Sequence, residues 1–141
     1  MKKIVLGSIL GIVVLLIIGV HTMAFSFPTE DDFSFNVEVE KSDLSINDTL
    51  EIHCTLTNNT NKDYDIEFGA DIFRYDDEII SSIGQVGEFK SKEIKSRDIE
   101  IIASEKGSKD LTIIAEFDIV HSRTKEKQKY KYTEDIYFTV K

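Results

Sequence analysis

The sequence predicts an all-β protein, a single β-sandwich of about seven strands that follows an apolar N-terminal helix. Two observations predict the strands. Apolar and polar residues alternate with a period of two over several stretches, as they do in half-buried strands. Clusters of Asn, Asp, Ser and Gly separate these stretches. A third observation is that no helical period follows the N-terminal run, which favours a sandwich over a mixed fold.

Residues 1–24 have the features of a signal peptide or a membrane anchor. Two lysines precede an uncharged run from Ile4 to Val20, and Thr22 and Ala24 stand where a signal peptidase reads the chain. The run is longer than a usual signal core of about 7–15 residues and shorter than a spanning helix of about 20, so both alternatives stay open. In both, the lysines stay inside and the remainder is extracytoplasmic, as a secreted or a single-pass membrane protein.

The elements follow in order from the alternation. Residues 25–32 contain the only proline and three consecutive acids, which indicates a linker, and the predicted domain is 33–141. Its first strand is 33–39, and its second is 49–57 after a polar turn. The remaining predictions are a strand at 64–68, a hairpin at 72–80 about Asp76-Asp77, a long loop or irregular edge at 81–96, a strand at 97–103, and a final strand pair, 111–119 and 130–140, joined by a turn at 121–128.

Composition limits the functions that the domain can have. Without Lys2 and Lys3 the exported part keeps 15 basic and 26 acidic residues, a formal net charge of −11. Such a surface as a whole repels nucleic acid and anionic lipid, and no nucleic-acid partner is expected. A single cysteine excludes an internal disulfide framework, and the domain must be held by its core.

His53 and Cys54 are adjacent, which raises the question of a reactive pair. Neighbours in a strand point to opposite faces, so Cys54 is predicted to lie inside with Leu50, Ile52 and Leu56, and His53 outside. A nucleophile and its base must reach hydrogen-bond distance, which this arrangement forbids. A thiol in apolar surroundings has a raised pKa and is inert.

No other pattern indicates catalysis, a metal or a cofactor. His21, His53 and His121 have no zinc-site spacing, and the sequence has no phosphate loop and no nucleophile elbow. Acidic clusters occur at 30–32, 63–65 and 76–78, but none has the spacing of a calcium loop, and solvated loops are the simpler interpretation. We therefore expect no enzyme.

One basic segment stands out on this acidic chain. We name it the basic hairpin, and its residues are Arg123, Lys125, Lys127, Lys129 and Lys131. If the last strand begins near Gln128, Lys129 and Lys131 face outward while Tyr130 and Tyr132 face inward. The segment either meets an anionic wall polymer, headgroup or partner protein, or it serves to block pairing between strand edges.

Two N-glycosylation patterns flank the second strand, at Asn47-Asp48-Thr49 and Asn58-Asn59-Thr60. Both are predicted to lie in turns. They have a function only in an organism that glycosylates exported proteins.

The stretch LEIHCTLTNNTNKDYDIEF (Leu50 to Phe68) resembles immunoglobulin-like modules of exported Gram-positive bacterial proteins, and telokin-like and adhesion-related modules are similar. The resemblance implies an immunoglobulin-like sandwich with an extracellular accessory, adhesive or inhibitory role. The chain departs from antibody domains, because Ala115 and Phe117 stand where a second cysteine would pair with Cys54, and it has no tryptophan.

The predicted function is an exported or membrane-anchored extracellular binding or accessory module without catalysis. Its partner is an unidentified protein or cell-surface polymer, and residues 4–24 provide a membrane contact if they are not cleaved. Two alternatives remain: a proteinase inhibitor that presents the loop 81–96, and a calcium-dependent ligand-binding module.

Overall fold

The structure is a computed structural model that describes residues 25–78 and 83–141. Within these ranges the chain forms one 3-10 helix, Glu30–Asp32, and nine strands. The strands are β1 (Phe33–Val39), β2 (Asp43–Leu44), β3 (Thr49–Asn58), β4 (Tyr64–Phe68), β5 (Phe73–Tyr75), β6 (Gln85–Phe89), β7 (Ile94–Ile102), β8 (Gly107–Val120) and β9 (Lys127–Val140).

The strands form two sheets. One has three strands in the order β1-β3-β7, and the other has six, with the path β2-β9-β8-β4-β6 and β5 paired to β8. All pairs are antiparallel except β2 with β9. By position, the first sheet corresponds to strands A, B and E of an immunoglobulin sandwich and the second to G, F, C and C′. The predicted fold class, an all-β sandwich, is confirmed.

The core lies between the sheets and is centred on aromatic rings. Phe33 of β1 lies 5.6 Å from Phe89, 5.4 Å from Phe117 and 5.4 Å from Tyr130, measured between ring centroids. Phe33 belongs to one sheet and the other three rings to the opposite sheet, so this cluster joins the two layers. Such pairs stabilise a core beyond the area that they bury, and here they occupy the interior of a domain that has no disulfide.

The clear alternations predicted the strands correctly. β1 and β4 have the expected ranges, and β3 extends one residue beyond the expected 49–57, to Asn58. Leu50, Ile52, Cys54 and Leu56 of β3 are all buried in the core. The final pair also exists, as β8 and β9 pair along their full length from Gly107 and Val140 to Val120 and Lys127.

The prediction of a long loop or irregular edge at 81–96 was wrong for most of its described part. Residues 85–89 form β6, which pairs with β4, and Ile94 begins β7, which pairs with β3. Both strands lie at sheet edges, where fewer side chains are buried. Four of the five residues of β6 are exposed, and β7 places Lys95 and Arg97 at inward positions, so neither strand shows an apolar alternation in this region.

Of the hairpin predicted at 72–80, the structure describes the first arm and the turn, where the Glu78 amide donates a 3.0 Å hydrogen bond to the Tyr75 carbonyl oxygen. Phe73–Tyr75 forms β5, which pairs with Ala115 to Ile113 of β8, a strand distant in sequence. The end of the predicted hairpin, 79–80, lies outside the described residues. The strand β2 was not predicted, because two residues are too few to show a period.

The predicted N-terminal helix and its two alternatives fall on 1–24 and lie outside the described residues. Within 25–78 and 83–141, no helix has the length and apolar character needed to cross a membrane.

Candidate functional site

His53 and Cys54 lie on opposite faces of β3, as the alternation predicts. Cys54 is 0% exposed, and its removal from water raises the pKa of its thiol to about 11. His53 lies on the outer face with its Nδ1 atom 2.5 Å from Oδ1 of Asp98 on β7. The two residues therefore form no reactive pair.

The outer face of the three-stranded sheet carries a cluster that we name the acidic face: Glu38, Glu40, Glu51, Asp98 and Glu100. Strand register places Glu51 opposite Glu100 and His53 between Glu38 and Asp98. A hydrogen bond with the Glu40 carboxyl group, followed by repulsion from the same group, raises the pKa of Glu51. Like charges directly opposite in a sheet destabilise it, so this face weakens the fold near neutral pH.

The acidic loop clusters have structural roles. The Asp32 carboxylate accepts a 2.8 Å hydrogen bond from the Thr29 amide at the start of the 3-10 helix. Asp63 accepts one of 2.7 Å from the Ser91 amide. In the part of the chain that the structure describes, no group of three or more His, Cys, Asp or Glu residues is arranged to hold a metal ion.

The basic hairpin lies along β9 and the turn before it. Tyr130 is 0% exposed while Lys129 and Lys131 are exposed, as the alternation predicts. Two of its cations are engaged with acids of neighbouring strands. The Nζ atom of Lys127 lies 2.6 Å from Oε2 of Glu67, and that of Lys129 lies 3.3 Å from Oε1 of Glu116. The hydrogen bond to Glu67 also raises the pKa of Lys127.

The remaining cations of the basic hairpin point to solvent. Arg123, Lys125 and Lys131 are exposed, and none of them forms an ion pair with another residue of 25–78 or 83–141. The hairpin therefore presents three exposed cations outside direct ion pairs, although Lys131 lies opposite Glu116 of β8 and Lys125 shares a groove with Asp65 and Glu88.

Residues 121–126, which we name the hairpin tip, form an ordered turn. The Lys125 amide donates a 2.9 Å hydrogen bond to the His121 carbonyl oxygen, and the His121 amide donates one of 2.8 Å to that of Glu126. The Thr124 amide also donates to Nδ1 of His121 at 3.2 Å. Lys125 has a φ of 61°, in the left-handed region. These bonds hold the backbone of the turn that carries Arg123 and Lys125 in one conformation.

The segment 25–32, predicted as a linker, lies against the sandwich. The Tyr130 hydroxyl donates a 2.6 Å hydrogen bond to the Pro28 carbonyl oxygen, and that of Tyr132 donates one of 2.9 Å to the Glu30 carbonyl oxygen. Phe27 packs against the core. Sequence reasoning did not find this contact, although Phe25 and Phe27 are an apolar signal unusual in a solvated linker.

Phe25 brings this segment to the hairpin tip. Its ring centroid lies 5.0 Å from that of Phe27 and 4.3 Å from that of His121. The start of the described chain and the hairpin tip are therefore at the same end of the sandwich.

The asparagines of the two glycosylation patterns differ in solvent exposure. Asn47 is exposed, with a φ of 72°. Asn58 is 0% exposed, and its Nδ2 atom donates to three backbone carbonyl oxygens, those of Lys62 at 2.9 Å, Phe89 at 3.2 Å and Lys90 at 2.9 Å. Its Oδ1 atom accepts from the amide of Thr60 at 3.0 Å. Asn58 is thus a structural residue, and its amide nitrogen cannot carry a glycan in this fold.

A polar cavity of about 320 Å³ lies beside β4, β5 and β8. Glu116 lies in its wall and pairs with both Arg74, at 3.8 Å, and Lys129, at 3.3 Å. Asp71, also in the wall, pairs with Arg97 of the opposite sheet. These charges neutralise one another, which is the arrangement of a structural network rather than of a poised catalytic group.

No protein-family model and no curated protein matches the chain. Among solved structures, it is similar to part of native alpha-2-macroglobulin from Escherichia coli, in a crystal structure that spans the residues from domain MG7 to the C-terminus. The identity is 12% and the TM-score 0.49, and the similarity covers 77% of this chain and 16% of that one. The chain thus spans about a sixth of the protein fragment that it matches.

Proposed function

We propose that the chain is an exported or membrane-anchored extracytoplasmic binding or accessory module without catalytic activity. The sequence of 1–24 supports export, and the resemblance of Leu50 to Phe68 to modules of exported Gram-positive proteins supports an accessory role. The observation that carries the proposal is the basic hairpin, which holds three exposed cations without an ion pair in the described residues, on an exported part, 25–141, of formal net charge −11.

The basic hairpin suits binding to an anionic partner. Its cations are spread over an ordered turn and the first residues of a 14-residue strand, so they are held in a fixed arrangement. Because the other surfaces are predominantly acidic, an anionic partner is repelled elsewhere and steered to this end of the domain. The binding should weaken as salt concentration rises.

The two alternatives have less support. The described part of the proposed inhibitory loop, 83–96, is largely strand within the two sheets, whereas inhibition needs a protruding loop. The acidic loops that suggested calcium use Asp32 and Asp63 as acceptors for backbone amides.

The proposal is tested in cells with the full chain. A C-terminal reporter that is active only outside the cytoplasm should be active, and an inactive reporter would contradict export. Cross-linking at the cell surface should then recover a partner with the wild type and markedly less of it with an Arg123→Glu, Lys125→Glu variant. The matched control is Lys106→Glu, Lys141→Glu, because these exposed lysines lie at the opposite end of β8 and β9. Equal recovery by both variants would rule out the basic hairpin as the binding surface.

A further inference from the structure

We infer that the hairpin tip faces the membrane and that Arg123 and Lys125 contact anionic lipid headgroups. This inference rests on the membrane-anchored form of the proposed function. It names the partner of the basic hairpin as the bilayer into which the same chain is inserted, rather than a wall polymer or another protein.

The first step is the short path from the predicted membrane segment to the hairpin tip. Phe25 follows Ala24 directly, and its ring lies 4.3 Å from that of His121. From Val20, where the uncharged run ends, to Phe25 the chain can extend at most about 18 Å. If residues 4–20 occupy the bilayer, the hairpin tip lies within that reach of the hydrocarbon core, whose headgroup layer is itself about 5–8 Å thick.

The second step is that the segment after Phe25 cannot act as a long tether. Pro28 is buried, its carbonyl oxygen accepts the bond from Tyr130, and Phe27 packs on the core. The domain is therefore held close to the point where the chain leaves the membrane, with the β8–β9 hairpin end toward it. The other end, at Gly107, lies 14 residues of β8 away, or about 45 Å.

The third step is the distribution of charge at this end. Arg123 and Lys125 are exposed, and Glu126 is the one acid within the hairpin tip. Asp65, Glu67 and Glu88 of β4 and β6 line the same groove as Lys125, and of these Glu67 is paired with Lys127. The 3-10 helix that carries Glu30, Asp31 and Asp32 lies beside β9, where the Glu30 carbonyl oxygen accepts the hydrogen bond from Tyr132. Arg123 and Lys125 form no ion pair within 25–78 or 83–141 and are therefore the cations of the tip that remain available to anionic headgroups.

An exposed aromatic ring, that of Phe25, lies against His121 at the base of the hairpin tip. Phe25 is 39% exposed although it packs on two other rings. An exposed apolar ring and basic side chains in one surface segment are typical of segments that lie at a membrane interface. Each basic residue near an anionic bilayer increases the docked population roughly fivefold.

The experiment uses the full chain in phosphatidylcholine vesicles with or without phosphatidylglycerol. Ser122→Cys places a fluorophore on the hairpin tip, and Ser104→Cys places the control fluorophore at the opposite end; buried Cys54 is replaced by Ala in both. A quencher attached to lipid headgroups should quench the label at 122 and not the label at 104, and quenching at 122 should be stronger with phosphatidylglycerol and weaker at high salt. Equal quenching at both positions would overturn the orientation.

The charge contribution is measured in the same vesicles. Arg123→Glu with Lys125→Glu should lower the ratio of docked to undocked domain at least about twentyfold, as two attractions are lost. Lys106→Glu with Lys141→Glu, which changes the net charge equally, should leave it unaltered. Equal effects of the two variants, or binding of the tip to a soluble anionic polysaccharide but not to phosphatidylglycerol, would refute a lipid partner and leave the broader binding proposal standing. An inactive extracytoplasmic reporter in cells would instead refute the proposed function itself.

Discussion

The hydroxyl group of Tyr130 donates a 2.6 Å hydrogen bond to the carbonyl oxygen of Pro28, and so ties the last strand to the segment that enters the domain. Both residues are buried. The bond satisfies a carbonyl that water does not reach, and it makes residues from about Phe27 onward part of the folded unit.

Tyr130→Phe should lower the free energy of unfolding by about 1–2 kcal/mol, because the ring is kept while the buried Pro28 carbonyl loses its donor. Denaturant unfolding of the full chain measures this. Tyr132→Phe is the matched control, since its bond to Glu30 is exposed and its loss should cost less. An equal effect of the two substitutions would show that burial of the Pro28 carbonyl does not determine how much the bond stabilises the fold.

Asn58→Ala should be among the most destabilising polar substitutions, at about 3 kcal/mol, because it leaves several buried backbone groups without a partner. The side chain joins the end of β3 to the carbonyl groups of Phe89 and Lys90 between β6 and β7. Asn59→Ala removes an exposed bond to Ser34 and should cost well under half as much. Similar midpoints of thermal unfolding for the two variants would contradict this role.

The thiol of Cys54 should not react with a thiol reagent in the native state and should react fully in denaturant, since it is 0% exposed. Cys54→Ala should destabilise by about 1–2 kcal/mol through a small cavity and leave partner binding unchanged. Cys54→Ser, which buries a hydroxyl group instead, should be less stable than the alanine variant. Loss of binding in a folded alanine variant would indicate a functional thiol.

Stability should fall at alkaline pH, in two stages. Burial raises the pKa of Cys54 from 9.0 to about 11 and that of Tyr130 from 10.0 to about 12. Both groups are neutral when protonated, and the folded state holds their protons more tightly than the unfolded state. Their contribution is complete below pH 9 and is lost as pH rises, between 9 and 11 for Cys54 and between 10 and 12 for Tyr130. Burial also raises the pKa of Tyr132, which therefore adds to the second stage. Melting temperature against pH should show the first stage flattened in Cys54→Ala and the second reduced, but not abolished, in Tyr130→Phe.

Glu51→Gln should raise the melting temperature at neutral pH, because it removes one charge from the acidic face. Its neighbours Glu40 and Glu100 are also carboxylates, and the raised pKa of Glu51 reflects the first of them above all. The gain should shrink at high salt. Glu134→Gln removes an exposed acid elsewhere and serves as the control; an equal gain there would attribute the effect to net charge rather than to the acidic face.

The sequence predicted those elements whose burial on one face is complete. The period-two pattern of Leu50, Ile52, Cys54 and Leu56 reflects a central strand with one face in the core, and the same pattern located β1, β4, β8 and β9. It also placed Tyr130 inside and Lys129 and Lys131 outside. At the edges this relation between pattern and burial fails, and there β6 and the beginning of β7 were missed.

Contacts between distant segments were beyond the sequence pattern. The pairing of β5 with β8 depends on a strand forty residues later along the chain, and the bond from Tyr130 to Pro28 spans 102 positions. Asn58 looked like a turn residue and a possible glycan acceptor, and only the approach of the β6–β7 connection made it a buried structural amide. The basic hairpin was found from composition alone. Which of its cations form ion pairs depends on strand register, because register brings Lys127 and Lys129 next to acids of neighbouring strands.

Cys54 is accessible to oxidants only before the domain folds, so its oxidation depends on the rate of folding. A chain that leaves the cytoplasm unfolded meets oxidants while Cys54 is still accessible, and its only possible disulfide is with another molecule. Once the two sheets pack together and bury the inner face of β3, Cys54 can no longer form a disulfide with another molecule. If the chain is exported as proposed, rapid packing of the sandwich leaves Cys54 reduced and delayed packing allows covalent dimers. The share of disulfide-linked dimer on a non-reducing gel would then report how promptly the exported chain has folded.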